Sequence, residues 1–209
     1  MNLEELITLM SGAKDGDEPR ASNTLSWEAY NLAKGLNDES LIGEIKTYLN
    51  KEVNADKRRY AYDLMGFIAK NTGDIRAIEV LLNSIEKEDG HTDNLHTILD
   101  AIYDSDIPLN TRVDKILGYA YDERDIIRNS AIQVLSNYTI AHNKIKIALL
   151  DIVEYHYDSY DLEYAISSLK KIVPENYKQL IAQKRAEIIK KGGDKEIINR
   201  IDNISENGF

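Results

Sequence analysis

Apolar side chains recur every three to four residues along most of the chain. The runs that carry this spacing are separated by short segments holding glycine, proline or aspartate. That period predicts amphipathic helices. Residues 3–10 place Leu3, Leu6, Ile7 and Met10 on one stripe, and the glycine- and charge-rich stretch 11–23 predicts a loop. The helices then come in pairs. Residues 24–35, with the stripe Trp27, Tyr30 and Ala33, precede 38–52, with Leu41, Ile45, Tyr48 and Leu49. Gly35 suits the C-cap of the first and Asp38 the N-cap of the second. Residues 56–71 carry Ala61, Leu64, Met65 and Ile68; residues 75–87 carry Ile78, Leu81, Leu82 and Ile85. A third pair, 93–104 and 110–122, is broken at Pro108. A fourth joins 123–138 to 142–158. The second of these is apolar most of the way round, through Ile145, Ile147, Ala148, Leu149, Leu150, Ile152 and Val153, which predicts burial on several sides. The last pair, 159–173 and 175–192, meets at Pro174. Its second helix is polar enough to close a stack, and 194–209 predicts one more short helix.

A shorter pattern repeats on these helices. Arg58, Ala61 and Met65 return as Arg128, Ala131 and Leu135, 70 residues later, which is two steps of 35. Ala165 and Leu169 give a partial third copy after 34 residues. A helical period near 35 predicts stacked helix pairs. Alanine lets neighbouring helices approach, leucine or methionine fills the space between layers, and an arginine matches a carboxylate bidentately.

Composition narrows the setting. The chain has 209 residues, 43% of them apolar, enough for a sizeable core. No apolar run nears the roughly 18 residues that span a bilayer. The first residues carry acids where a signal peptide carries bases. Cysteine is absent, so thiolate chemistry and disulfides are excluded, and a cytoplasmic setting is expected. The net charge of −10 divides into −13 over residues 1–169 and +3 over residues 170–209. An acidic body repels a phosphate backbone and attracts a basic partner. The basic tail helix, with Lys184, Arg185, Lys190 and Lys191, places cations before Gly192 and Gly193, where a helix end favours them.

The repeat resembles the HEAT-like repeats of the armadillo-type helical superfamily. The matching residues are Arg58, Ala61 and Met65; Asp125, Arg128, Ala131 and Leu135; and Asp161, Ala165 and Leu169. Asp56 stands one position away from the place that Asp125 marks. The resemblance implies an all-α fold, a right-handed superhelix of about five helix pairs over residues 24–192, flanked by a helix and loop at 1–23 and a tail at 193–209. It implies a structural ladder for Arg58 and Arg128. It also implies a concave face formed by the second helix of each pair. On this chain that face would carry Glu39, Lys46 and Asn50, then Arg76, Glu79 and Asn83, then Arg112, Lys115 and Tyr119, then Lys144, Asp151 and Glu154. A strip of mixed sign suits a protein or peptide partner.

Motifs for chemistry are sparse. None of the phosphate-loop, dinucleotide, nucleophile-elbow, calcium-loop or zinc-protease patterns occurs, so no catalytic residue, metal or cofactor is assigned. A helix over 93–104 would bring His96 and Asp100 together. Thirteen tyrosines against two phenylalanines is a bias towards rings with one wet end. Pairs two apart, such as Tyr60 and Tyr62 or Tyr119 and Tyr121, predict one core and one exposed ring each. The expected function is therefore a non-enzymatic protein-binding scaffold, of a regulatory or immunity type. Two alternatives follow from HEAT-like proteins: nucleic-acid or base-repair work, which would need a basic channel, and a cofactor-lyase relative, which would need an apolar cavity near Tyr119, Tyr155 and His156.

Overall fold

The computed structural model describes residues 1–12, 24–140, 142–155, 159–193 and 195–207. The loop expected at 11–23 therefore lies, beyond Gly12, outside the described residues, as do His156 and the side chain of Tyr155. Among the described residues are twelve α-helices, one 3-10 turn and no strand. The contacts divide the chain into two compact units, Met1–Ile107 and Pro108–Phe209. The division falls at the proline that interrupts the third predicted pair, inside the stretch read from sequence as one repeat domain.

The first unit holds α1 (Leu3–Met10), α2 (Leu25–Ala33), α3 (Leu41–Lys51), α4 (Ala55–Thr72), α5 (Ile75–Ser84) and α6 (Thr92–Asp104). α4 is its hub and packs against α1, α3, α5 and α6. Its sequence explains its length. Asn54 accepts a hydrogen bond from the Lys57 amide at 3.1 Å and starts the helix. Gly73 ends it in the left-handed region, at φ 73°, where a side chain would be strained. Ala61, Met65, Ile68 and Ala69 are all fully buried between these ends.

α4 and α6 pack closely at Gly66. A Cβ there would lie 2.6 Å from Ala101 Cβ, a stiff neighbour. Gly66→Ala would gain roughly 1 kcal/mol of helix propensity and lose about 1–3 kcal/mol to overpacking. The expected result in urea unfolding is a net loss of about 1 kcal/mol, recovered when Ala101→Gly is added. A gain in stability would show that the two helices slide apart freely.

One charged cluster sits inside this unit. The Glu88 side chain is fully buried, yet every approach to it is a donor. Arg58 grips it through Nε at 2.6 Å and Nη2 at 2.9 Å. Tyr62 Oη donates at 2.8 Å and Asn94 Nδ2 at 2.8 Å. Burial alone would raise the pKa of this carboxyl. The hydrogen bonds from Arg58, Asn94 and Tyr62 outweigh it and hold the value below the ordinary range. The remaining Arg58 donor, Nη1, reaches the carbonyl of Val53 at 2.8 Å and of Glu52 at 3.3 Å.

The second unit holds α7 (Val113–Tyr119), α8 (Asp125–Val134), a 3-10 turn (Leu135–Asn137), α9 (His142–Tyr155), α10 (Ser159–Ile172), α11 (Tyr177–Lys190) and α12 (Lys195–Asn207). Here α10 is the hub, contacting α8, α9, α11 and α12. Its buried stripe includes Ala165 and Leu169, and it faces Ala131, Ile132 and Leu135 of the α8 segment, also fully buried. Arg128 donates to Asp161 of α10 at 2.8 Å, to Asp125 at 2.7 Å and to the Asp122 carbonyl at 2.9 Å. The segment after Pro108 is tied down by backbone bonds. Leu109 donates to Asn137, and Thr139 donates to Leu109, at 2.8 and 3.0 Å.

Several local expectations change. In α2 the buried residues are Ser26, Ala29 and Ala33, while Trp27 is 39% exposed. The stripe through Trp27 and Tyr30 is rotated in the fold, because the small residues Ser26, Ala29 and Ala33 are the ones that α2 buries. Asp38 caps a turn ahead of α3, accepting from the Ser40 amide and hydroxyl at 3.0 and 2.6 Å, and not the helix itself. α9 buries Ile145, Ala148, Leu149, Ile152 and Val153, and leaves Ile147 58% exposed. Tyr60 and Tyr62 are both buried, although they leave opposite sides of α4.

Candidate functional site

The core stripe of α4 runs through Arg58, Ala61, Met65 and Ile68. A second stripe of the same helix, Tyr60, Asp63, Phe67 and Lys70, repeats that spacing two residues further on, roughly on the opposite side of the helix. This second stripe floors a groove. One wall is α2, through Trp27, Tyr30 and the capping Lys34. The other is α6, through His96, Thr97, Asp100 and Asp104. Two cavities, of about 290 and 540 Å³, share Tyr30, Asp63 and Thr97, so they are two ends of one depression.

Aromatic rings dominate the end near α1. Tyr30 meets Phe67 edge to face, with ring centres 5.4 Å apart. The chain's own cations lie on the rings. Lys34 Nζ is 4.8 Å from the Tyr30 centre and 5.9 Å from that of Trp27, and the Arg59 guanidinium is 5.1 Å from that of Tyr60. Charges of both signs fill the other end. His96 Nε2 lies 3.3 Å from Asp100, as the i, i+4 spacing requires, and Lys70 lies 3.4 Å from Asp104. Arg59 also reaches Asp93 at 3.4 Å. Carboxylates thus stand beside Arg59 and Lys70, and the groove is not a positive channel.

The residues read from sequence as a binding strip sit elsewhere. In the first unit Arg76, Glu79 and Asn83 are exposed on α5. Arg76 bonds Glu39 at 3.1 Å and also pairs with Asp74, which caps the helix. In the second unit Arg112 is exposed and precedes α7 with φ 59°, in the left-handed region. Lys115, Tyr119 and Asp151 are half-buried, and Lys144 is exposed and paired with Asp114. Glu154 does not fit a binding face. It is buried, and both Lys184 and Lys191 hold its carboxylate. Those two lysines therefore serve a helix-to-helix tie as well as the end of α11.

Both cavities thus lie on first helices of the pairs, α2, α4 and α6. Periodicity alone does not reveal them, because it assigns Trp27 and Tyr30 to the core. The signal was present: Ser26, Ala29 and Ala33 share one helical face at spacings of three and four, which leaves the large rings outside. Among the described residues, no group of three or more His, Cys, Asp or Glu side chains could hold a metal ion. No described helix is long and apolar enough to cross a membrane. No protein-family model matches the chain, and no curated protein matches it.

Proposed function

We propose that the chain is a non-enzymatic binding protein built of HEAT-like helix pairs, and that it takes a protein or peptide segment in the groove floored by α4. The helix-pair reading is supported by Arg58 and Arg128. Each is buried near the start of its helix, and each sends Nη1 to the carbonyl six residues earlier. Each holds a buried carboxylate about one repeat further on, Glu88 at 30 residues and Asp161 at 33. A superhelix of about five such pairs is the arrangement that reading extends to.

The single observation that carries the function is the lining of the groove. Aromatic rings lie beside charges of both signs, the combination that suits recognition of a polypeptide. The acidic balance of the chain, −10, favours a partner with basic side chains. A nucleic-acid partner finds less support, since carboxylates flank the groove's cations.

The test is to titrate a mixed basic peptide library into isotope-labelled protein and map the amide shifts. Shifts should gather on α2, α4 and α6. Asp100→Lys should weaken the selected peptide roughly tenfold, whereas Glu79→Lys on α5 should leave it unchanged. Shifts confined to Arg76, Glu79 and Asn83 would move the binding face to the second helices. No saturable shift at all would sink the proposal.

A further inference from the structure

Both cavities of the groove have α2 as a wall, through Trp27 and Tyr30 in the smaller and through Tyr30 and Lys34 in the larger. That wall is thin. α2 has nine residues, a length that is marginal for a helix on its own. Its buried residues are two alanines and a serine, while Leu25, Trp27 and Leu32 are exposed. Its strongest packing is with α1, which is itself fixed by the buried Leu3, Leu6, Ile7 and Met10. A helix that buries so little apolar surface opens before the core does.

The contacts that join α2 to the floor of the groove include a ring pair and a clamp. Tyr30 meets Phe67, and both are half-buried. The clamp is Asn71, next to the last residue of α4. Its Nδ2 donates to the carbonyls of Lys34 at 2.8 Å and Leu36 at 2.7 Å. These carbonyls lie just past the end of α2, where a helix leaves acceptors without partners of its own. One exposed amide thus fastens the end of the wall, and water can take its place.

We infer that α2 is a movable wall of the groove, latched to α4 by Asn71. When α2 swings away, Trp27 and Tyr30 leave the groove and both cavities lose a side. An occupant that touches both α2 and α6 holds the wall closed, because it binds the closed form better than the open one. The closing step rests on the peptide reading for its occupant. The opening needs no partner and is tested apart from that reading.

Native-state hydrogen exchange of the full chain, followed by NMR, measures the opening. The reporters are the amides of the buried Ala29 and Ala33 in α2 and of Met65 and Ile68 in α4. The α2 amides should exchange roughly 100-fold faster than those of α4, or more. Asn71→Ala should speed the α2 amides roughly tenfold, since two hydrogen bonds to the wall are lost. Alanine is the better helix former, so a residue that served only the end of α4 would give no such change. Ile78→Val, a change in the core of α5, should speed the α4 amides several-fold and leave the α2 amides as they were. Equal exchange in the two helices, no response to Asn71→Ala, or α2 amides that follow Ile78→Val would each overturn the inference. The peptide selected above should slow the α2 amides when it binds. A peptide that maps to the groove and leaves α2 exchange unaltered would overturn the closing step while leaving the proposed function standing. Failure of every peptide to bind, with α2 still freed by Asn71→Ala, would remove the proposed function and keep the latch.

Discussion

Arg58→Met is expected to destabilise the first unit by about 3–5 kcal/mol, the scale for removing one partner of a buried ion pair. The cost does not come from the arginine itself. It comes from Glu88, which stays in place with no access to water and loses its only cation among the described contacts. Two neutral donors remain, Tyr62 and Asn94, and they cannot replace a guanidinium. The carbonyls of Val53 and Glu52 lose their donor as well, which loosens the turn leading into α4. Replacing both partners, as Arg58→Met with Glu88→Leu, should recover part of the loss, because the stranded charge is gone. Recovery stays partial because Tyr62 Oη and Asn94 each lose the bond to Glu88, although Asn94 keeps the Ala55 carbonyl at 3.1 Å. Urea unfolding of the single and double variants measures both values. A loss under about 1 kcal/mol for the single change would mean that water reaches Glu88.

The same cluster sets a pH dependence. The Glu88 carboxyl has a lower pKa in the folded chain than when unfolded. The unfolded chain therefore binds more protons in the acid range, and stability rises with pH there. The contribution is fully present above the unfolded value, roughly 4.3. It is lost as pH falls through the folded value. In Arg58→Met the charge and the two guanidinium hydrogen bonds that depress the pKa are removed, while those from Tyr62 and Asn94 remain against the effect of burial, so the slope should flatten. Unfolding free energies measured from neutral pH down to about pH 3 would show it.

How much of this was legible differs by element. The α4 and α8 patterns were, because Arg, Ala and a large apolar residue at three and seven positions must share a helix face. Glu88 was not. It lies past the end of α5, in a turn where no period says which acid faces inward. The resemblance offers Asp56 only one position out of place, and the partner of Arg58 is 30 residues away in sequence. The groove was hidden for another reason. α2 is only nine residues long and buries two alanines and a serine, so its apolar volume lies on the wrong side for a reading weighted by size. Glu154 shows the limit for charges. A carboxylate on an amphipathic helix reads as exposed until a neighbouring helix supplies Lys184 and Lys191.

Met65→Ala should cost the first unit about 3–5 kcal/mol, towards the upper part of the range for large-to-small core changes. Met65 is fully buried on α4, the helix with the most neighbours in its unit. The loss has two parts: the transfer free energy of the removed atoms and the cavity they leave. A cavity shrinks only if the surrounding helices move in. At the next residue, Gly66, α4 and α6 are already in contact through Ala101, leaving no space for further approach. The site therefore stays open, and the cavity contribution is kept nearly whole. Leu135→Ala tests the argument from the other unit. Leu135 matches Met65 in the repeat and is equally buried, but it begins a short 3-10 turn. Such a turn can shift where an 18-residue helix cannot, so the cost there should fall nearer 2 kcal/mol. Equal losses at the two positions would mean that the Gly66 contact does not limit how far α4 and α6 can close.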